Sequence, residues 1–131
     1  MIDDKYYRYA AEQMERASRE KKKYNGYKDK PERICFYTGR PYAERHEVFP
    51  GRPNRQISIE YGFQVDICPE KHRELQDNIT PWAKAENQKW RSTYERAYID
   101  RLMDEGEREE DALQSWMRLI GRNYIEELIP R

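Results

Sequence analysis

The stretch TPWAKAENQKWRSTYERAYIDRLMDEG, residues 80–106, commits to a structure more firmly than any other part of the chain. Thr80 is a good helix N-cap, Pro81 suits the first helical position, and no breaker follows until Gly106. Within it Trp82, Trp90, Tyr94, Ala97, Tyr98 and Leu102 form an apolar stripe crossed by Glu86 and Arg101, which suits a core-facing helix better than a ligand platform. The core must be lean, because charged residues make up 38% of the 131 positions. Three Trp and eleven Tyr supply much of its area, since a buried aromatic removes roughly 150–250 Å² from water. One domain is expected over 1–131.

Other stretches fall around this helix. Residues 3–23, DDKYYRYAAEQMERASREKKK, read as a helix with acidic residues at its start and a Lys-Arg cluster at its end. Tyr6, Tyr7, Ala10, Met14 and Ala17 recur along it at steps of three and four. YNGYKDKPER then reads as a linker. RICFYTG and YAERHEVFP, separated by a turn at Gly39 to Pro41, suggest a β-hairpin. PGRPNRQ reads as a loop, IEYGFQVDIC as a strand or extended lead-in, and PEKHRELQD as a short helix opened by Pro69. A last helix, EEDALQSWMRLIG, buries Leu113, Trp116, Met117 and Ile120 and stops at Gly121. The fold class expected is α+β: N-terminal helix and linker (1–30), a small β-containing unit (31–78), and C-terminal helices (79–131).

The 25 basic and 25 acidic residues cancel, which argues against a generic polycation but allows a local basic patch. No apolar run is long enough to span a membrane, and the charged N-terminus is no signal peptide. Two cysteines, Cys35 and Cys68, suit free thiols in a reducing compartment, so a cytoplasmic location is expected.

Chemistry concentrates around the chain's two histidines, His46 and His72. A β element followed by a short helix can bring them together, and two imidazoles can share one divalent ion with positions left for a phosphate oxygen and water. Arg40, Arg45, Arg52, Arg55 and Arg73 crowd the same region, and guanidinium groups match phosphate oxygens. By pattern alone, two ordinary surface histidines with no metal are the commoner case.

The linked set CFYTG…YAERHEVFPGRPNRQISIEYGFQVDICPEKHREL resembles the HNH (His-Me finger) nuclease family. It is similar to small phage-encoded members with a His-Glu or His-His pair, a Gly-Asn-Arg loop, a Tyr-Gly and a Cys-Pro…His helix. The ending SWMRLIGRNYI is similar to the aromatic Gly-Arg/Lys-Asn-Tyr ending of those proteins. The resemblance covers about residues 34–125. It implies a ββα-metal unit, packed here by N- and C-terminal helices, that holds one divalent ion (Mg, Mn, Ni or Zn) and cuts phosphodiester bonds.

Pro50 sets the register of the carry-over. His46 then falls on the first metal-ligand slot, Glu47 on the slot of the general base, and His72 on the helical metal ligand. Sliding by one would make His46 the base and put Arg45, a cation, in the ligand slot; the first register is preferred. Glu47 departs from the usual histidine, and a carboxylate with an ordinary pKa of ~4.3 is a weaker base than imidazole at ~6.5. The family's middle Asn falls at Phe63, with Asn54 as the available substitute. Each Cys-x-x-Cys knuckle of zinc-bearing relatives keeps one thiol here, Cys35 and Cys68, so no structural zinc is expected. Arg45, Arg52, Arg55 and Arg73 would bind the nucleic acid, DNA in preference to RNA. Two functions follow from the resemblance. One is a metal-dependent endonuclease of a phage or prophage, acting in the bacterial cytoplasm. The other is an inactive scaffold that binds DNA or a host defence protein. A homodimer through the aromatic faces of the terminal helices is a further option.

Overall fold

The computed structural model describes residues 3–20 and 30–128. Among the described residues, five α-helices and one two-stranded antiparallel sheet make up the α+β architecture. The order is α1 (Asp4–Glu20), β1 (Glu44–Glu47), α2 (Asn54–Tyr61), β2 (Gln64–Ile67), α3 (Pro69–Asp77), α4 (Pro81–Asp104) and α5 (Glu109–Ile120). Residues 21–23 of the expected first helix, and 24–29 of the expected linker, lie outside the described residues. No helix among the described residues is long and apolar enough to cross a membrane.

The helix ends follow their local chemistry. Thr80 caps α4 by accepting from the backbone N–H of Ala83 at 3.1 Å, and Pro81 follows it. Pro69 opens α3, and Gly121 closes α5 with a left-handed φ of 88°. Helix α4 is buried along so many positions, from Ala83 to Ile99, that it shows no single apolar face. It packs against α1, α3 and α5 together, which makes it the central helix.

The strand pairing corrects the expected hairpin. RICFYTG forms no strand. Residues 33–43 make a tight loop closed by bonds from Cys35 N to Arg40 O (2.8 Å) and from Ala43 N to Arg33 O (3.0 Å). The partner of β1 is β2, in the register Glu44↔Ile67, Arg45↔Asp66, His46↔Val65 and Glu47↔Gln64. The chain between them, expected to be loop and lead-in, holds α2. A two-stranded ribbon of four residues per strand is too short to stand alone. It is covered by a dense aromatic core: Phe63 touches Phe49, Tyr94 and Trp116 at ring-centroid distances of 5.5, 5.3 and 5.7 Å. A second cluster joins Phe36, Tyr6, Tyr9 and Trp90.

Helix α2 ends at Gly62 (φ 77°), where the chain passes directly against α1. A Cβ at this position would strike the carbonyl oxygen of Gln13 and lie 2.9 Å from the Cβ of Ala17. Gly62→Ala therefore combines a left-handed backbone penalty with a clash against helix backbone. A loss of at least about 2 kcal/mol is expected on urea unfolding, and a variant as stable as wild type would show that α1 does not sit this close.

Candidate functional site

Alternate residues of a strand share a face, so β1 presents Glu44 and His46 on the same side. Helix α3 begins two residues after β2 ends and carries His72 in its first turns. The fold thus brings the two histidines together across 26 residues of sequence. Their ring centroids are 5.2 Å apart, with the planes at 74°. His72 Nδ1 donates to Glu44 Oε1 at 2.8 Å, leaving its Nε2 as the nitrogen free to coordinate. Glu44 escaped the sequence reading, although its position two residues before His46 is the signal that could have found it.

His46 is 7% exposed. Burial first, then the charges of His72 and Arg91, press its pKa down to about 3. It is therefore a neutral imidazole at physiological pH, the form that offers a lone pair. Two imidazoles, one of them steered by a carboxylate, are donor types that a divalent ion takes. Among the described residues no three His, Cys, Asp or Glu side chains form a metal-sized group, so phosphate oxygens and water would have to complete the coordination.

Glu47 is not drawn into this pair. Strand alternation turns it away from His46, and its carboxylate accepts from Arg55 Nε at 3.0 Å. Arg45 holds its cross-strand partner Asp66 at 3.1 Å, and Arg40 holds Glu70 at 2.7 Å. Arg52 is exposed in the loop before α2, and Arg73 is exposed on α3 beside His72. Asn54 is the first residue of α2 and half-buried. Phe63, where the resemblance would put the middle Asn, is fully buried core. Cys35 and Cys68 are both buried free thiols, and Cys35 Sγ accepts from the backbone N–H of Thr38 (3.4 Å) and of Cys68 (3.2 Å). A thiol here joins the 33–43 loop to the start of α3.

The C-terminal part of the chain supplies residues that no local pattern announced. Arg91 on α4 donates from Nε to the Val48 carbonyl at 3.1 Å, just beyond β1. Glu95, one turn further on, accepts from the backbone N–H of Tyr124 at 2.6 Å. Gln88 donates to the Tyr124 carbonyl at 3.1 Å, so α4 grips both sides of that residue.

Glu95 is fully buried, and its Oε2 has no hydrogen-bond partner among the described residues. Burial raises its pKa from an ordinary 4.5 to about 7, against the lowering effect of the Tyr124 N–H. The folded protein thus binds this proton more tightly than the unfolded chain. The associated stability is fully present below about pH 4.5, falls as the pH rises towards 7, and is gone above it. The loss is on the order of 3 kcal/mol by the usual conversion. Glu95→Gln keeps an acceptor for Tyr124 and is expected to be more stable than wild type near pH 8, with a flatter profile between about pH 4.5 and 8. Chemical denaturation across that range measures it; an equally steep decline in the variant would place the source elsewhere.

Comparison of the chain with protein-family models, curated proteins and solved structures returned no match.

Proposed function

We propose that this chain is an HNH-like endonuclease of phage or prophage origin, which hydrolyses phosphodiester bonds of nucleic acid, DNA in preference to RNA, with one divalent ion. The observation that carries this reading is the meeting of His46 and His72 at 5.2 Å, with Glu44 bonded to the Nδ1 of His72. When bound between the imidazoles, Mg²⁺, Mn²⁺, Ni²⁺ or Zn²⁺ supplies polarisation of the phosphoryl oxygen and stabilisation of the leaving alkoxide.

The chain's own residues do the rest. Glu44 fixes the tautomer and tilt of His72. Burial keeps His46 neutral. Glu47, which the resemblance puts in the slot of the base, is held by Arg55 on the strand face away from His46 and is assigned no step at the ion. Arg52 and Arg73, both exposed, meet the nucleic-acid backbone, and Asn54 at the start of α2 orients the substrate.

Nicking of a supercoiled plasmid in Mg²⁺, Mn²⁺ or Ni²⁺ tests the reading. His72→Ala is expected to lower cutting at least about 100-fold, and Glu44→Gln about 10- to 100-fold, the range of an outer-shell partner. Wild type that cuts in none of these ions, or a His72→Ala protein that cuts as well as wild type, would sink it.

A second reading, an inactive scaffold that binds DNA or blocks a host defence protein, is favoured by one feature. The only carboxylate in the slot of the base is tied to Arg55 on the face away from His46. Fold alone confers no activity. Under this reading the purified protein cuts nothing but still captures DNA or one stoichiometric host protein.

A further inference from the structure

Besides the exposed Arg52 and Arg73, the arginines near the imidazole pair divide into two groups. Arg40, Arg45 and Arg55 each hold a carboxylate, on Glu70, Asp66 and Glu47. Such pairs have little charge left for a ligand until the carboxylate lets go. Arg91 and Arg122 have no carboxylate partner among the described residues. Arg91 is half-buried on α4, and its Nε bond to the Val48 carbonyl at 3.1 Å fixes the side chain just past His46 on the same segment. That bond uses one donor of five and leaves the terminal nitrogens for another acceptor.

Arg122 reaches the same place from the C-terminal segment. Its guanidinium lies 4.9 Å from the Tyr124 ring centroid, and that ring is 5.8 Å from Phe49, the neighbour of Val48. Tyr124 is itself held to α4 through Glu95 and Gln88. Burial disfavours the charge of Arg91, and the nearby charge of Arg122 adds to that. Two guanidiniums in one place, one half-buried and neither neutralised, are costly unless an anion comes to them. Guanidinium geometry favours phosphate.

We propose that Arg91 and Arg122 form a seat for a nucleic-acid phosphate beside His46 and His72, so that α4 and the C-terminal segment add a phosphate contact of their own to those of Arg52 and Arg73. This deepens the nucleic-acid reading but does not depend on cutting, because an inactive scaffold would use the same seat.

The test is fluorescence anisotropy of a short labelled DNA duplex with the full chain in EDTA, where no divalent ion contributes. Arg91→Met and Arg122→Met are each expected to weaken binding about tenfold and to lower the slope of log affinity against log salt by about one. Arg40→Met, which removes a charge already paired, is expected to stay within about twofold of wild type. Arg91 also braces Val48; if Arg91→Met does not fold, Arg122→Met, at an exposed position, decides alone. Binding by Arg122→Met with wild-type affinity and slope would overturn the proposal, as would a wild type that does not bind the duplex. Displacement of the duplex by inorganic phosphate at matching phosphate concentration would assign the seat to a free anion and likewise overturn it. A protein that binds as expected yet nicks no plasmid in any ion leaves this seat standing and removes only the endonuclease reading.

Discussion

Buried polar groups must find partners, and on α4 that requirement sets the place of nearly every other element. Tyr6 of α1 and Tyr37 of the 33–43 loop both donate to Glu86 Oε1, at 2.6 and 2.8 Å. Asn87 donates to the Leu75 carbonyl of α3 at 2.9 Å and to Asn78 Oδ1 at 3.0 Å. Trp90 Nε1 donates to Tyr37 OH, Arg91 to Val48 beyond β1, and Tyr94 OH to the Gln64 carbonyl of β2. Glu95 takes the N–H of Tyr124. Apolar burial is tolerant of small shifts, but a chain of such bonds is not, because each missed partner costs about 1–3 kcal/mol. The aromatic core supplies adhesion, and these bonds fix the register in which it packs.

This arrangement separates what local sequence reveals from what it hides. The bounds of α3, α4 and α5 were legible because Pro69, Thr80-Pro81 and Gly121 act within one turn of themselves. The hairpin failed for the opposite reason. RICFYTG has strand-like residues, but its backbone bonds close a loop on itself, and only Phe36 N reaches β2, at the Asp66 carbonyl. Strand pairing is a tertiary choice, and β1 found its partner across α2. Helix α2 itself was hidden by Pro53 and by the polar start Asn54-Arg55-Gln56, which read as loop. Polar residues on α4 such as Glu86 and Glu95 blurred its stripe, and they turn out to be buried anchors.

The site divides along the same line. His46 and His72 could be nominated because they are the chain's only histidines and lie on elements that topology can join. Strand alternation made Glu44 readable in principle and also predicts that Glu47 faces elsewhere. Nothing in 31–78 could have pointed to Arg91, Arg122 or Tyr124, since their nearness to β1 exists only once α4 and the C-terminal segment are docked. Charge counting over a short window overstated Arg45 and Arg55 because it could not see Asp66 and Glu47 neutralising them.

The dependence of β1 and β2 on α4 has a consequence for how the protein is made. Residues 44–72 leave the ribosome before residues 81–104, yet the two strands are four residues each and their cover arrives with the later helix. Val48 lacks its Arg91 brace in any nascent chain that stops short of α4. The strand ribbon is therefore completed late in synthesis, and a prematurely terminated product carries both histidines without the charge of Arg91 beside His46.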